Sequence, residues 1–320
     1  MSLSRDVKAG FAERPRSLPP KYFYDALGSR LFEAIGRLPW YRITAAETRL
    51  LQKAAPAVAR ALAGAVRVVE LGSGSGEKLA LVVEALRACR KKPDVHVVDL
   101  SAAAVAASLE RLAKIPGLKA TGHRAAYERG LAAAMAMRRG PGQCLVLFLG
   151  SNIGNFDPVD AARLLRTVRR RLRAGDAILL GTDLVKPESE LLAAYDDPLG
   201  LTAVFNLNLL VRLNRELGAD FDLAAWTHRA VWNAEARRVE MHLVSRARQR
   251  VRVARAGVTA DFEKGESIHT ESSHKYEPAD VDRLAATAGF LRERRWLDDS
   301  AKFALTLCRA VSAIRAEEDR

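Results

Sequence analysis

The chain has 320 residues, 49% of them hydrophobic, enough for a full core in one large domain or two modest ones. It carries a net charge of +13 and three scattered cysteines, Cys89, Cys144 and Cys308, none in a CxxC pair. No apolar stretch is long enough to span a bilayer, no signal-peptide core opens the chain, and the cysteine count argues against a disulfide framework or a zinc site, so a cytoplasmic protein without membrane partners is expected.

The elements alternate from residue 66 onward. Residues 66–71 (VRVVEL) read as a strand and 77–90 as a helix; 94–101 (DVHVVDLS) read as a second strand, followed by an alanine-rich helix from Ala102 to about Ala113. Residues 144–151 (CLVLFLGS) form a continuous apolar run, as buried parallel strands do, and Asp157-Pro158 starts the next helix. Residues 175–185 (GDAILLGTDLV) are another buried strand. The repetition predicts an α/β fold with a doubly wound sheet. The pattern then changes: 186 to about 235 read as mainly helical, and 237–262 alternate apolar and polar residues as antiparallel strands do. Asp280–Ala288 is a short amphipathic helix stopped by Gly289, and FALTLCRA is a last buried strand.

The positive charge admits nucleic acid or another anionic surface as a partner. The most basic run, RTVRRRLRAGD at 166–176, has an ordinary helical stripe in Leu164, Leu165, Val168 and Leu172, with the arginines on the other face. No aromatic-interleaved basic patch accompanies it, so no nucleic-acid partner is expected.

The glycine turn VVELGSGSGEK carries the first chemical signal. Glycines let a ligand approach the backbone, and helix N-terminal N–H groups attract anions. The spacing of Gly72, Gly74 and Gly76 is GxGxG, neither the GxGxxG of dinucleotide folds nor the GxxxxGK[ST] of a P-loop. An acid, Glu70, stands just ahead of it. That combination is the turn of S-adenosylmethionine (SAM)-dependent methyltransferases: the acid faces the methionyl ammonium and the glycines admit the rest of the cofactor. Asp99 ends the next strand, where an acid binds ribose hydroxyls; the alternative is that Asp99 caps the following helix with Ser101.

Longer stretches point the same way. In order, RSLPPKYFYDALGSRLFEAIGRLPWY, VVELGSGSGEKL, LFLGSNIGNFDP, LLGTDLVK, AAYDDPLGLTAVFNLNLLVRLNRELGADFD, VEMHL and GESIHTESSHKY resemble the histidine Nα-methyltransferase family, over nearly the whole chain. The resemblance implies a class I SAM-methyltransferase sheet, at 47–185 plus 276–320, and a second, smaller substrate-binding domain, at 1–46 plus 186–275. It implies trimethylation of the α-amino group of L-histidine to its betaine, hercynine, as in ergothioneine biosynthesis; a monomer is expected, and a sulfonium donor asks for no metal. It places Gly72, Gly74 and Lys78 with Glu70 at the cofactor and Asp99 at its ribose. For substrate it implicates Tyr24, Tyr41, Gly150, Asn155, Tyr195, Met241, Glu271 and Ser273. Asn155 and Tyr195 would hold the amino-acid backbone end as the catalytic pair; Glu271 and Ser273 would contact the imidazole.

The chemistry is compatible with those residue types. A sulfonium is a good leaving group, so the site has to place an amine lone pair in line with it at near-attack distance. A hydroxyl and an amide carbonyl can orient the amine, whereas a carboxylate beside it would raise its pKa and hold the proton. Glu271 and Ser273 alternate with Thr270 and Ser272, so both point to one face of an extended segment. The histidines His228, His242, His269 and His274 are read as surface or structural residues. Two positions depart from the family. Ala126 in RAAYERGL stands where an adenine-contacting acid is usual, leaving backbone atoms or Tyr127 for that contact. Asn152 stands where threonine is common, and the turn reads GSGSGEK where the family has GSGTSEK. The alternative is a betaine-forming enzyme for another aromatic amino acid, tyrosine or tryptophan, differing only in the side-chain pocket.

Overall fold

The computed structural model describes residues 3–312. The chain folds into two compact units: the residues up to Arg42 with Lys186–Lys275, and Ile43–Val185 with the residues from Tyr276 on. The division expected after residue 46 falls inside one continuous helix, Ile43–Ala61, and the units instead part at the start of that helix. Residues 1–2 and 313–320 of the expected division lie outside the described residues.

The larger unit is built on seven strands: β1 (Val66–Leu71), β2 (Asp94–Asp99), β3 (Ala120–Arg124), β4 (Gln143–Phe148), β5 (Ala177–Asp183), β6 (Phe290–Asp298) and β7 (Phe303–Ala310). Their order in the sheet is 3-2-1-4-5-7-6. β7 runs antiparallel to both neighbours, and the rest pair in parallel from β3 through β5. β1 and β5 are buried along their whole length, which is why they read as unbroken apolar runs. Val69 and Leu71 of β1, Val146 and Phe148 of β4, and Ile178 and Leu180 of β5 share one core with Leu131, Leu164, Leu165, Val168 and Val281. Those last five come from helices Tyr127–Ala136, Pro158–Arg171 and Pro278–Thr287. Helices Ile43–Ala61, Glu77–Ala88 and Ala102–Ala113 pack on one another over the opposite face. This is a doubly wound α/β sheet.

Several boundaries differ from the sequence reading, each for a local reason. The helix after the glycine turn stops at Ala88, and Arg90 takes a left-handed φ of 58°. β2 stops at Asp99, whose carboxylate accepts the Ser101 N–H at 2.8 Å and turns the chain into the next helix. β3 and β6 were not foreseen. They are the two edges of the sheet: ATGHR is only half-buried, FLRERRWLD is largely exposed, and neither shows an apolar run. The arginine-rich helix buries Ala161, Leu164, Leu165 and Val168 as its stripe predicts, but Arg169 is more than a solvated charge: it donates to the carbonyls of Gly289 and Leu172, both at 3.0 Å, and of Val311.

The smaller unit has a four-stranded sheet in the order Arg16–Ser17, Ser267–His274, Arg238–Ser245, Trp226–Asn233, and a separate hairpin of Gln249–Val253 with Val258–Phe262. Trp226–Asn233 corrects the expectation of helix as far as about residue 235; α-helix is confined to Glu188–Tyr195 and Leu201–Leu217, the latter closed by Gly218 at φ 60°. A bulge between His269 and Glu271 shifts the register of Ser267–His274 against Arg238–Ser245. Among the described residues, no helix is long and apolar enough to cross a membrane.

Candidate active site

In the larger unit, β1 ends and the glycine turn begins. Gly72, Gly74 and Gly76 all have positive φ, of 82°, 50° and 71°. Their surroundings differ. A Cβ on Gly72 would sit 2.7 Å from Asn152 Nδ2 and 3.2 Å from the Tyr127 hydroxyl, so a methyl there would fill a cradle floored by those two side chains. One on Gly76 would meet the backbone of Ser108 at 2.9 Å, and one on Gly74 would meet nothing. The helix Ala102–Ala113 props the turn from outside: Ser108 Oγ donates to the Gly74 carbonyl at 3.1 Å and Arg111 Nε to the Ser75 carbonyl at 2.9 Å.

Three carboxyl groups lie around this turn. Glu70 is buried, and its Oε2 has no hydrogen-bond partner among the described residues. Burial pushes its carboxyl well above the usual carboxylate range; Lys78 opposes the shift, and Glu47 and Asp99 reinforce it. Asp99 is also pushed up by burial, against the backbone N–H groups of Ser101, Gly74, Ser73 and Leu100 that face it. Ser101 caps helix Ala102–Ala113 by accepting the Ala104 N–H at 3.3 Å, and Asp99 accepts the Ser101 N–H at 2.8 Å just ahead of it. Glu47 was missed by sequence reasoning. It is fully buried, accepts the Gly150 N–H on both oxygens at 2.9 and 2.8 Å, and pairs with Lys78. Gly181 makes room for it, since a Cβ there would lie 1.9 Å from Glu47 Oε1. Nothing in TAAETRLLQ marks this acid, because its partners are far off in sequence.

Gly150, at φ 71°, follows β4, and Asn152–Asn155 is a single 3-10 turn with Asn155, half-buried, as its last residue. Tyr276 donates to the Ile153 carbonyl of that turn at 3.3 Å. Ala126 is the N-cap residue of helix Tyr127–Ala136 and makes no side-chain capping bond; its neighbour Tyr127 packs edge-on against Phe148, with ring centroids 5.3 Å apart. The structure therefore places Glu70, Gly72, Gly74 and Lys78 at the carboxyl end of β1, Asp99 at that of β2, Tyr127 after β3, and Gly150 and Asn155 after β4.

The remaining expected residues lie in the smaller unit. The bulge after His269 turns Glu271 and Ser273 inward, so that both are buried on one side of their strand, with Met241 opposite Glu271 in register. The Tyr195 hydroxyl donates to Ser273 Oγ at 2.7 Å. Lys275, a second residue missed in the sequence, donates to both oxygens, each at 2.9 Å, and its ammonium lies 4.6 Å from the Tyr195 ring centre. The signal for it was present: Lys275 continues the same alternation two residues beyond Ser273. Burial pushes the Glu271 carboxyl up to about 7, with Lys275 opposing. Tyr41 packs edge-on to Tyr195, centroids 6.3 Å apart, and Phe32 links Tyr41 to Tyr24 at 5.9 and 5.5 Å. His228 bonds the Tyr195 carbonyl at 2.8 Å, a structural contact. Among the described residues, no group of three histidine, cysteine or acidic side chains could hold a metal.

The unpartnered buried oxygen of Glu70 and the Cβ-free backbone of Gly72, bordered by Asn152 and Tyr127, fit a cationic ligand that approaches the backbone closely. A family described as "Histidine-specific methyltransferase, SAM-dependent" matches residues 3–310. A histidine N-alpha-methyltransferase of Mycobacterium tuberculosis is 44% identical over 312 residues, 96% of this chain and 94% of that one. A histidine N-alpha-methyltransferase of Mycolicibacterium smegmatis is 42% identical over 307 residues, with the same coverage of 96% and 94%. Ergothioneine biosynthesis protein 1 of Neurospora crassa is 30% identical over 301 residues, 92% of this chain but 34% of its own length. The chain belongs to the histidine-specific, SAM-dependent methyltransferase family, and it is an N-methyltransferase that takes its methyl group from S-adenosylmethionine.

Proposed function

We propose that this enzyme trimethylates the α-amino group of L-histidine to hercynine, the betaine from which ergothioneine is made. The observation that carries the reading is the buried pair Glu271 and Ser273, aimed to one side of their strand by the bulge, in a chain whose relatives are named for histidine. A carboxylate that accepts and a hydroxyl that donates match the two nitrogens of a neutral imidazole. The smaller unit is the substrate-reading part, with Tyr24, Tyr41 and Met241 as apolar walls, and the larger unit holds the methyl donor.

The donor supplies a methyl group on a sulfonium, activated without help from a metal. The chain's own residues do the rest. Glu70 faces the methionyl ammonium, Lys78 the methionyl carboxylate, Asp99 the ribose hydroxyls, and Gly72, Gly74 and Tyr127 line the cradle. Asn155 and Tyr195 each offer a neutral polar group suited to the backbone end of the substrate, whose amine lone pair has to point along the line of transfer. Neither is anionic, so neither traps the ammonium form, and the amine can lose its proton before each methylation. Glu47 holds Lys78 and the Gly150 peptide in place through its three bonds.

Incubating the protein with SAM and histidine should give products heavier by one, two and three methyl groups, read by mass spectrometry. A product that stops at one methyl overturns trimethylation, and a panel in which tyrosine or tryptophan outcompetes histidine overturns the substrate. Asp99→Ala should weaken SAM binding roughly 10- to 100-fold, the cost of a lost charge-assisted hydrogen bond, as measured by calorimetry. Unaltered affinity would remove Asp99 from the ribose.

A further inference from the structure

We infer that Glu70 makes the donor site discriminate S-adenosylmethionine from its demethylated product, S-adenosylhomocysteine, by giving up a proton to solvent when the charged donor binds. The inference rests on the assignment of the glycine turn as the donor site.

Glu70 is held in the middle of the sheet, with Val97 of β2 on one side and Leu147 of β4 on the other. Its Oε2 is buried and has no hydrogen-bond partner among the described residues. The charged groups that face it are Lys78 from helix Glu77–Ala88, Glu47 from helix Ile43–Ala61 and Asp99 from the end of β2. With Glu70 itself that makes three carboxyls to one ammonium, and the ammonium is already paired with Glu47. A buried carboxylate in that company is expensive to ionise, and the cheaper state is the neutral acid. The rise of the Glu70 carboxyl well above its ordinary range agrees with this geometry.

The donor brings a sulfonium, an ammonium and a carboxylate, a net positive charge. The product has lost the sulfonium and is neutral overall. A positive neighbour favours the charged form of an acid, so the donor drives Glu70 to the carboxylate and the product does so less. By linkage, whatever stabilises ionised Glu70 is returned as affinity for the donor over the product, and the preference grows as pH rises. Each turnover then discharges the attraction that held the donor, which helps the product leave.

The test is a calorimetric titration at neutral pH in two buffers of different ionisation enthalpy, which counts protons exchanged on binding. Wild-type protein should release on the order of 0.5–1 proton with SAM and less than half as many with S-adenosylhomocysteine. Glu70→Gln should release none with SAM, and its preference for SAM over the product should fall about tenfold, the equivalent of one pKa unit. Equal proton counts for the two ligands on wild-type protein would overturn the inference, and that comparison needs no variant. An unchanged count in Glu70→Gln would also overturn it. The same titration reads affinity separately, so a misplaced donor site, seen as unaltered SAM affinity in Asp99→Ala, is told apart from a failure of proton coupling.

Discussion

Glu271→Gln is expected to raise the histidine KM about 10- to 100-fold while leaving SAM affinity unchanged, because the amide keeps the shape of the carboxylate and loses one charge-assisted hydrogen bond. The same variant should be more stable than wild type at alkaline pH in the absence of substrate. Burial lifts the Glu271 carboxyl to about 7 from an ordinary 4.5, so the folded state binds its proton more tightly than the unfolded chain does. That contribution is fully present below about 4.5 and is lost as pH rises through about 7. At pH 8 to 9 wild type therefore carries a penalty of up to about 3 kcal/mol that the glutamine lacks. Melting curves across pH 5 to 9 should converge at the acid end and separate at the alkaline end. Parallel curves would place Glu271 in a more polar setting than its burial implies, and an unchanged KM would remove it from the imidazole.

Gly72→Ala should weaken SAM binding by roughly 100-fold or more, with only a modest loss of stability. Two effects add. Alanine at φ 82° costs about 1–2 kcal/mol of backbone strain, which lowers the melting temperature by a few degrees in a chain of this size. The new methyl would also lie 2.7 Å from Asn152 Nδ2 and occupy the cradle the donor needs. Gly74→Ala is the comparison: its φ of 50° is strained too, but its Cβ would meet nothing, so Gly72→Ala should be both the less stable and the weaker binder of the two. Equal affinities would mean that the donor does not approach the turn at Gly72.

The strand-and-helix repeat from Val66 to Asp183 was legible because each buried parallel strand is a contiguous apolar run and each helix carries its own stripe. The two edge strands were not, since an edge residue has one solvated neighbour and no need of an apolar pattern. Trp226–Asn233 was read as helix because WTHRAVWN sits next to long helical segments and its alternation is imperfect. Among the site residues, Lys275 was within reach of the same period-two argument that singled out Glu271 and Ser273. Glu47 was not: its partners lie at Lys78 and Gly150, and the space for it is opened by Gly181.

The sequence alone determined the glycine turn. An acid, three glycines at fixed spacing and a helix start are contiguous, and the positive φ each glycine adopts is a demand that a single residue can meet by lacking a Cβ. Only the tertiary structure decided which polar groups end up buried together and in what state. Tyr195 meets Ser273 across 78 residues and Glu47 meets Gly150 across 103, and a bulge of one residue settles which face of the last strand looks inward. Charge states follow from burial and from neighbours, and neither exists until the chain has folded.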